Sequence, residues 1–259
     1  MANLTSSTYP IYSTGTYRCG LTLNLNLVSH FQSNVILGGL YKGKTLKRLR
    51  RHVPFSKINI FEPSKYQQKY SEFIQENDPL ISVIPCALGN VPESGYSKFG
   101  DFSAKVNANN GKYGYGSLIS TDDRDKSCEY LVRVINLSEW ILDNKIGNIA
   151  HIHLDIEGAE LDVLEQFNSP LHLTTHQLSL ELQPNPHETL LDSFSRLSTI
   201  MKYHKFIPLI IDELKVLPFK DYKDFLINSP SCNIYCFSIK QYTAITSLDL
   251  VNEYQGFKF

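Results

Sequence analysis

Residues 151–164 read His-Ile-His-Leu-Asp-Ile-Glu-Gly-Ala-Glu-Leu-Asp-Val-Leu, an alternating apolar run that closes on Asp155, Glu157, Gly158 and Glu160. Alternation marks a strand, so these carboxylates fall at its carboxyl end, the edge where open α/β sheets bind ligands. A second run, Lys57-Ile58-Asn59-Ile60-Phe61, ends in Glu62-Pro63. Glu62 lies about 20 residues beyond a glycine-bearing loop, the spacing at which a dinucleotide fold places its ribose acid. A carboxylate accepts both hydroxyl hydrogens of a sugar diol, so the two strand ends together predict an enzyme with a nucleoside-bearing cofactor.

The glycine loop permits a rival reading. Gly38-Gly39-Leu40-Tyr41-Lys42-Gly43-Lys44-Thr45 matches the phosphate-loop pattern, in which backbone amides cradle phosphates, the Lys reaches their outer oxygens and the Thr holds magnesium. Glu62 has no standard role in such an enzyme, and the Gly158-Ala159-Glu160-Leu161 continuation is foreign to a magnesium-holding strand. Nucleoside binding without triphosphate chemistry is the favoured expectation, with a phosphate-loop nucleotide enzyme as the alternative.

The elements that must position these residues alternate between strand and helix, which predicts a mostly parallel sheet with helices on both faces. Asn34–Leu37 is an apolar run before Gly38-Gly39, and the following helix turns Leu46, Leu49 and Val53 inward until Pro54 stops it. Ser64 and Gln67 form a capping-box pattern before a helical stripe of Tyr66, Tyr70, Phe73 and Ile74, read as core. Strands are expected at 80–84, 131–135, 151–155, 177–182, 205–211 and 233–239, the last two as an antiparallel pair at the sheet edge. A helix is expected near 137–144, another opening at Glu157-Gly158, and a third capped by Asn185-Pro186. Residues 90–127, rich in Gly, Asn, Ser and Tyr, break the rhythm and are assigned to acceptor binding or a lid, with plain surface disorder as the equal alternative.

Bulk properties narrow the classes. A chain of 259 residues with 42% hydrophobic content forms one domain with elaborations, here 1–33 as an N-terminal extension and 34–239 as the core. A net charge of −1 with scattered basic residues lacks the footprint of a nucleic-acid binder. Lys44, Lys47, Arg48, Arg50 and Arg51 are read as the solvated face of the first helix. The N-terminus has neither a basic start nor an apolar run, and no window has the roughly 18 apolar residues of a membrane span, so a cytoplasmic chain is expected. Cys19, Cys86, Cys128, Cys232 and Cys236 have no Cys-x-x-Cys spacing and are read as free thiols.

Ile58–Pro63, Cys86-Ala87-Leu88-Gly89, Ile135–Trp140 and above all Leu154–Leu164 resemble the FkbM-type S-adenosylmethionine-dependent methyltransferases, in an order that runs from residue 34 to 238. The resemblance implies a Rossmann-like class I methyltransferase fold: a mostly parallel seven-stranded sheet with one antiparallel edge strand and helices on both faces. It implies methyl transfer from S-adenosyl-L-methionine, typically to a hydroxyl of a small molecule or glycan. By the same resemblance Gly39 and Gly43 approach the methionine part of the cofactor, Glu62 binds the ribose, and Cys86, Ala87 and Leu88 lie beside the adenine. The family usually has an Asp where this chain has Leu37, and Ala-Asn where it has Leu40-Tyr41, so a cofactor-binding homologue without catalysis is a further alternative.

Because a sulfonium is already activated, such an enzyme has to align a nucleophile and accept its proton. Asp155 is the first choice for that carboxylate and also borders the cofactor; Glu157 is second. His153 shares a face with Asp155 and is a third candidate, although histidines satisfied in the interior are commoner there. Glu157 and Glu160 also suit a helix start, where the macrodipole favours acids by about 0.3–1 kcal/mol. Asp155, Glu181 and Asn185 could offer oxygens to a divalent metal, but no tight ligand spacing supports one, and a metal is not favoured.

Overall fold

The computed structural model describes residues 33–40, 43–101, 116–118, 129–184, 188–212, 215–217, 219–239 and 241–242. Twelve strands are β1 (Asn34–Gly38), β2 (Lys57–Phe61), β3 (Ile81–Ile84), β4 (Ala87–Leu88), β5 (Tyr96–Asp101), β6 (Gly116–Ser117), β7 (Glu129–Ile135), β8 (Ile149–Leu154), β9 (Thr175–Leu182), β10 (Phe206–Asp212), β11 (Lys215–Val216) and β12 (Cys232–Ser238). Among the described residues the α-helices are α1 (Lys44–His52), α2 (Gln68–Asn77), α3 (Leu137–Asp143), α4 (Glu160–Glu165), α5 (Leu190–His204) and α6 (Phe219–Asn228).

The main sheet has the order β11-β10-β12-β9-β8-β1-β2-β3. Strands β3, β2, β1, β8 and β9 are parallel, and β12 runs against both β9 and β10. This is the expected mostly parallel sheet with its reversed strand toward the late edge, extended by the two-residue β11. The apolar runs behave as parallel strands buried on both faces must: β8 is buried at all six positions and β1 at four of five.

One face packs α5 residues Phe194, Leu197 and Met201 against Leu178, Leu180 and Ile234. On the other face, Leu46, Leu49 and Val53 seal α1 against Val35, Leu37, Ile58 and Ile60, while Lys44, Lys47, Arg48 and Arg51 stay exposed. Each fully buried aliphatic side chain contributes about 1.5–3 kcal/mol, so this stripe, not helix propensity, holds a nine-residue helix in place.

Several boundaries differ from the sequence expectation for local reasons. Glu157 (φ 61°) and Gly158 (φ 109°) are left-handed, so they form a turn, and α4 begins at Glu160. Helix α5 starts at Leu190 under a reciprocal capping box of Thr189 and Asp192, while Asn185 and Pro186 lie outside the described residues. Ser64 caps a 3-10 turn over Lys65–Gln67 instead of α2 itself. Of the expected stripe only Ile74 is buried; Tyr66 lies exposed in the 3-10 turn, and Phe73 is exposed because α2 covers the sheet margin at β3. The described part of 90–127 is not loop throughout, since β5 pairs antiparallel with β7 and β6, in a second sheet of order β4-β7-β5-β6.

The tightest joint is at Gly39, whose φ is +84° and whose Cα lies so near the Asp155 carbonyl oxygen that a Cβ would fall on it. Gly95, with φ +71°, has nothing within 4 Å of its virtual Cβ. Gly39→Ala is expected to lose at least about 2 kcal/mol more in urea unfolding than Gly95→Ala, which carries only the left-handed strain of about 1 kcal/mol. Equal losses would mean that the close approach carries no energetic weight.

Candidate active site

The carboxyl ends of β3, β2, β1, β8 and β9 meet along one edge, and the strand order reverses between β1 and β8, the point at which such sheets open a ligand crevice. Backbone bonds continue past the strand ends: the Gly39 amide donates to the Phe61 carbonyl at 2.9 Å, Asp155 to Gly38 at 3.1 Å, and Glu62 to Ile84 at 3.1 Å. Glu62 is 9% exposed; its Oε2 accepts the Leu40 amide and its Oε1 the Ser64 amide, each at 2.9 Å. Glu62 and Asp155 therefore flank the same Gly39-Leu40 turn, Glu62 by a side-chain bond and Asp155 by backbone contact.

Around Asp155 the acids crowd, and neutral donors hold them. Asp155 shares a hydrogen bond with Glu181, one step beyond the register pair Leu154↔Leu180. Ser231 Oγ donates to Glu181 Oε1 at 2.9 Å, and Gln183 Nε2 to Glu157 Oε2 at 2.9 Å. From the second sheet, Ser117 Oγ donates to the Glu157 carbonyl at 2.8 Å. Glu160, 1% exposed, folds back so that Oε1 accepts the Ile156 amide at 2.8 Å and Oε2 the Gly158 amide at 3.0 Å. Glu160 is thus the clamp of the left-handed turn.

Burial pushes the Asp155 carboxyl well above the ordinary carboxylate range, and the charges of Glu181, Glu157 and Glu160 and the bond to Glu181 push it further. Burial likewise raises Glu160 to about 7, against the pull of its amide partners. A carboxyl lifted toward neutrality can take and return a proton at physiological pH.

The histidines face inward. His151 Nε2 and His153 Nδ1 both lie on Ser179 Oγ, at 2.9 and 2.7 Å, and burial lowers His153 to about 4 and His151 well below 6.5. Cys86, Ala87 and Leu88 are buried at the end of β3 and in β4, next to Phe61, whose ring meets Trp140 edge-on at 4.9 Å. Burial pushes the Cys86 thiol up to about 12, which keeps it protonated and inert.

Three amides of the described part of the glycine loop are already engaged. A phosphate cradle needs free amides, but those of Gly39, Leu40 and Gly43 are bonded to the Phe61 carbonyl, the Glu62 carboxylate and the Leu40 carbonyl. The Tyr70 hydroxyl fills the space where a Cβ at Gly43 would lie. Leu37, which stands where the resembled family has an Asp, and Leu40, which stands where it has an Ala, are core side chains at 0% and 1% exposure. Tyr41 and Lys42 lie outside the described residues.

Among the described residues no group of three or more His, Cys, Asp or Glu is placed to hold a metal; Asp155 and Glu181 face each other across a hydrogen bond, and Asn185 lies outside the description. Sequence reasoning considered Glu181 only as a metal ligand and did not single out Ser179, Gln183 or Ser231. Period-two alternation along β9 was the available signal, because it puts Gln177, Ser179 and Glu181 on one face.

In comparisons with known proteins, the family profile described as Methyltransferase FkbM domain matches residues 39–208, more than half of the chain. No curated protein matches in sequence. Solved structures with a similar course include the Methanococcus jannaschii fibrillarin pre-rRNA processing protein, at 8% identity and a TM-score of 0.45, covering 80% of this chain and 66% of that one. Precorrin-6y C5,15-methyltransferase from Geobacter metallireducens has 6% identity and a TM-score of 0.41, with 84% and 87% covered. An S-adenosylmethionine-dependent methyltransferase from Agrobacterium tumefaciens has 11% and 0.42, with 83% and 59% covered.

The raised acids make stability depend on pH with a definite sign. A carboxyl whose folded pKa exceeds its unfolded value stabilises the fold while protonated in both states, and that stability is lost as pH rises from about 4.5 through about 7 for Glu160. The loss amounts to roughly 3 kcal/mol at most. Melting temperature should therefore fall between pH 4.5 and 7 in wild type, and Glu160→Gln should flatten that slope. An unchanged slope in the variant would remove Glu160 as its source.

Proposed function

The chain belongs to the FkbM methyltransferase domain family, and from that premise we propose that this S-adenosylmethionine-dependent methyltransferase methylates a hydroxyl oxygen of a small molecule or glycan. The observation that carries the site assignment is the convergence of Glu62 and Asp155 on the Gly39-Leu40 turn.

When bound, the cofactor supplies a methyl group already activated on a cationic sulfur. The donor set suits such a cation: beyond burial, Asp155 is raised by the charges of Glu181, Glu157 and Glu160. A positive charge at that edge lowers the cost of ionising Asp155. We assign the ribose to Glu62, which keeps its carboxylate oriented through the Leu40 and Ser64 amides, and the adenine to the apolar edge of Cys86, Ala87 and Leu88. Gly39 and Gly43 shape the loop beside the methionine part.

Asp155 orients the acceptor hydroxyl and takes its proton, becoming neutral, and the hydrogen bond to Glu181, itself held by Ser231, shares that proton between the two carboxyls. Glu157 is the second candidate, restrained by Gln183. His153 is third, because its Nδ1 is engaged by Ser179. Within residues 90–127, of which 102–115 and 119–127 lie outside the described residues, the second sheet brings Ser117 onto the 155–158 turn, and we assign this segment to acceptor contacts. No step requires a metal. Cys86, Cys232 and Cys236 as buried free thiols suit a reducing cytoplasm, and among the described residues no helix is long and apolar enough to cross a membrane. The buried Leu37, standing where the family has an Asp, favours as a second reading a homologue that binds cofactor without turnover.

Calorimetric titration with S-adenosylhomocysteine and a released-homocysteine assay over hydroxylated acceptors test this. Asp155→Asn is expected to keep binding within about threefold and to cut turnover by about 10²–10⁴, while Glu62→Gln weakens binding at least about tenfold, a loss of roughly 1.4 kcal/mol. Binding without turnover on any acceptor selects the second reading. Tight magnesium ATP binding that vanishes in Lys44→Ala, with no response to the homocysteine compound, would overturn both.

A further inference from the structure

Below the carboxyl pair, one face of β8 and β9 is polar along its length. Paired residues on parallel strands share a face, so the register pairs His151↔Gln177 and His153↔Ser179 form one patch with Thr175 beneath them and Asp155 and Glu181 one step above. All five lower side chains are buried, none more than 6% exposed. The histidine rings lie nearly parallel, 6.4 Å apart, with the Ser179 hydroxyl bonded to both.

That shared hydroxyl imposes a rule. It carries one hydrogen, so it donates to one ring and must receive from the other. If Ser179 donates to His153 Nδ1, then His151 donates from Nε2, and both rings are protonated on Nε2. If Ser179 donates to His151 Nε2, then His153 donates from Nδ1, and both rings are protonated on Nδ1. The two tautomers are locked together. Burial supports the neutral form of both rings that this requires.

The lower end of the row holds the unmet polar atoms. His151 Nδ1, both side-chain ends of Gln177 and the Thr175 hydroxyl are fully buried and have no protein partner. Groups of this kind are normally met by ordered water, and a Gln side chain offers a donor and an acceptor to either tautomer of His151. His153 Nε2, at the upper end, makes no protein hydrogen bond and is not among the fully buried atoms without a partner.

We propose that His153, Ser179 and His151 form a proton relay that carries the acceptor's proton from the carboxyl pair into a hydrated row along β8 and β9. This rests on the methyltransferase reading above. The hop balances: the carboxyl O–H of Asp155 breaks and its proton passes through a bridging water to His153 Nε2, the Nδ1 proton of His153 passes to Ser179, the Ser179 proton passes to His151 Nε2, and the Nδ1 proton of His151 leaves to water. Both rings stay neutral and both change tautomer. Ser179 acts through the histidines and is a positioning residue.

Nitrogen-15 NMR of histidine-labelled wild type tests the rule without any variant or acceptor: both rings should be neutral and protonated on the like-named nitrogen, and unlike nitrogens or a charged ring overturn the relay. In turnover assays, Ser179→Ala should lower kcat by roughly tenfold to hundredfold, leave KM and S-adenosylhomocysteine binding unchanged, and reduce the solvent deuterium isotope effect, with Ser179→Thr restoring all three. A kcat for Ser179→Ala within twofold of wild type overturns the relay and leaves the methyltransferase reading standing. Absence of methyl transfer by wild type overturns that reading, and the relay's role with it, even where the rings prove linked.

Discussion

The contact between the Gly39 backbone and the Asp155 carbonyl is the constraint from which the rest of the edge follows. Strands β1 and β8 separate in opposite directions after this point, and only a residue without a side chain lets their ends come so near. Once they do, the Leu40 amide reaches Glu62 and the Asp155 amide reaches Gly38. Two acids distant in sequence are thereby placed on either side of one turn. Leu37 and Leu40 support the arrangement from below by burying themselves against α1.

Neutral donors hold the carboxyls of this edge: Ser231 on Glu181, Gln183 on Glu157, and the Ile156 and Gly158 amides on Glu160. Amides, hydroxyls and a carboxamide orient the carboxyls, and burial settles their protonation. A buried carboxylate lacking a counter-ion is costly, so the favourable outcome is a retained proton, as at Asp155 and Glu160. The same environment that disfavours charge makes the edge receptive to a positive ligand. Stability and reactivity are opposed here: the state that best suits the isolated fold is protonated, and the state that suits proton transfer is not.

The polar row under the site shows a similar opposition. Apolar residues at 151, 153, 177 and 179 would pack a central pair of strands without unsatisfied groups, whereas the residues present leave several buried atoms dependent on water. The two histidines are neutral, stacked and tied to one hydroxyl, which makes the row ordered despite its polarity. Nothing in the packing of the sheet requires it.

Much of the architecture was legible from order along the chain. Hydrophobic period located β1, β2, β8 and β9, and the acids at 62 and 155 were read correctly as strand-end residues, because alternation and the residue that breaks it are local properties. Strand β5 within residues 90–127 was hidden by its glycines and polar residues, since a short strand on a small second sheet buries too little to leave an apolar pattern. The turn at Glu157-Gly158 was taken for a helix start because acids favour both, and only the folded-back Glu160 side chain distinguishes them. What the sequence alone determined is which residues reach the edge; what the tertiary structure decided is which of them meet. The pairing of Asp155 with Glu181 and of two histidines with Ser179 depends on the register between β8 and β9, a non-local quantity that no spacing within either strand encodes.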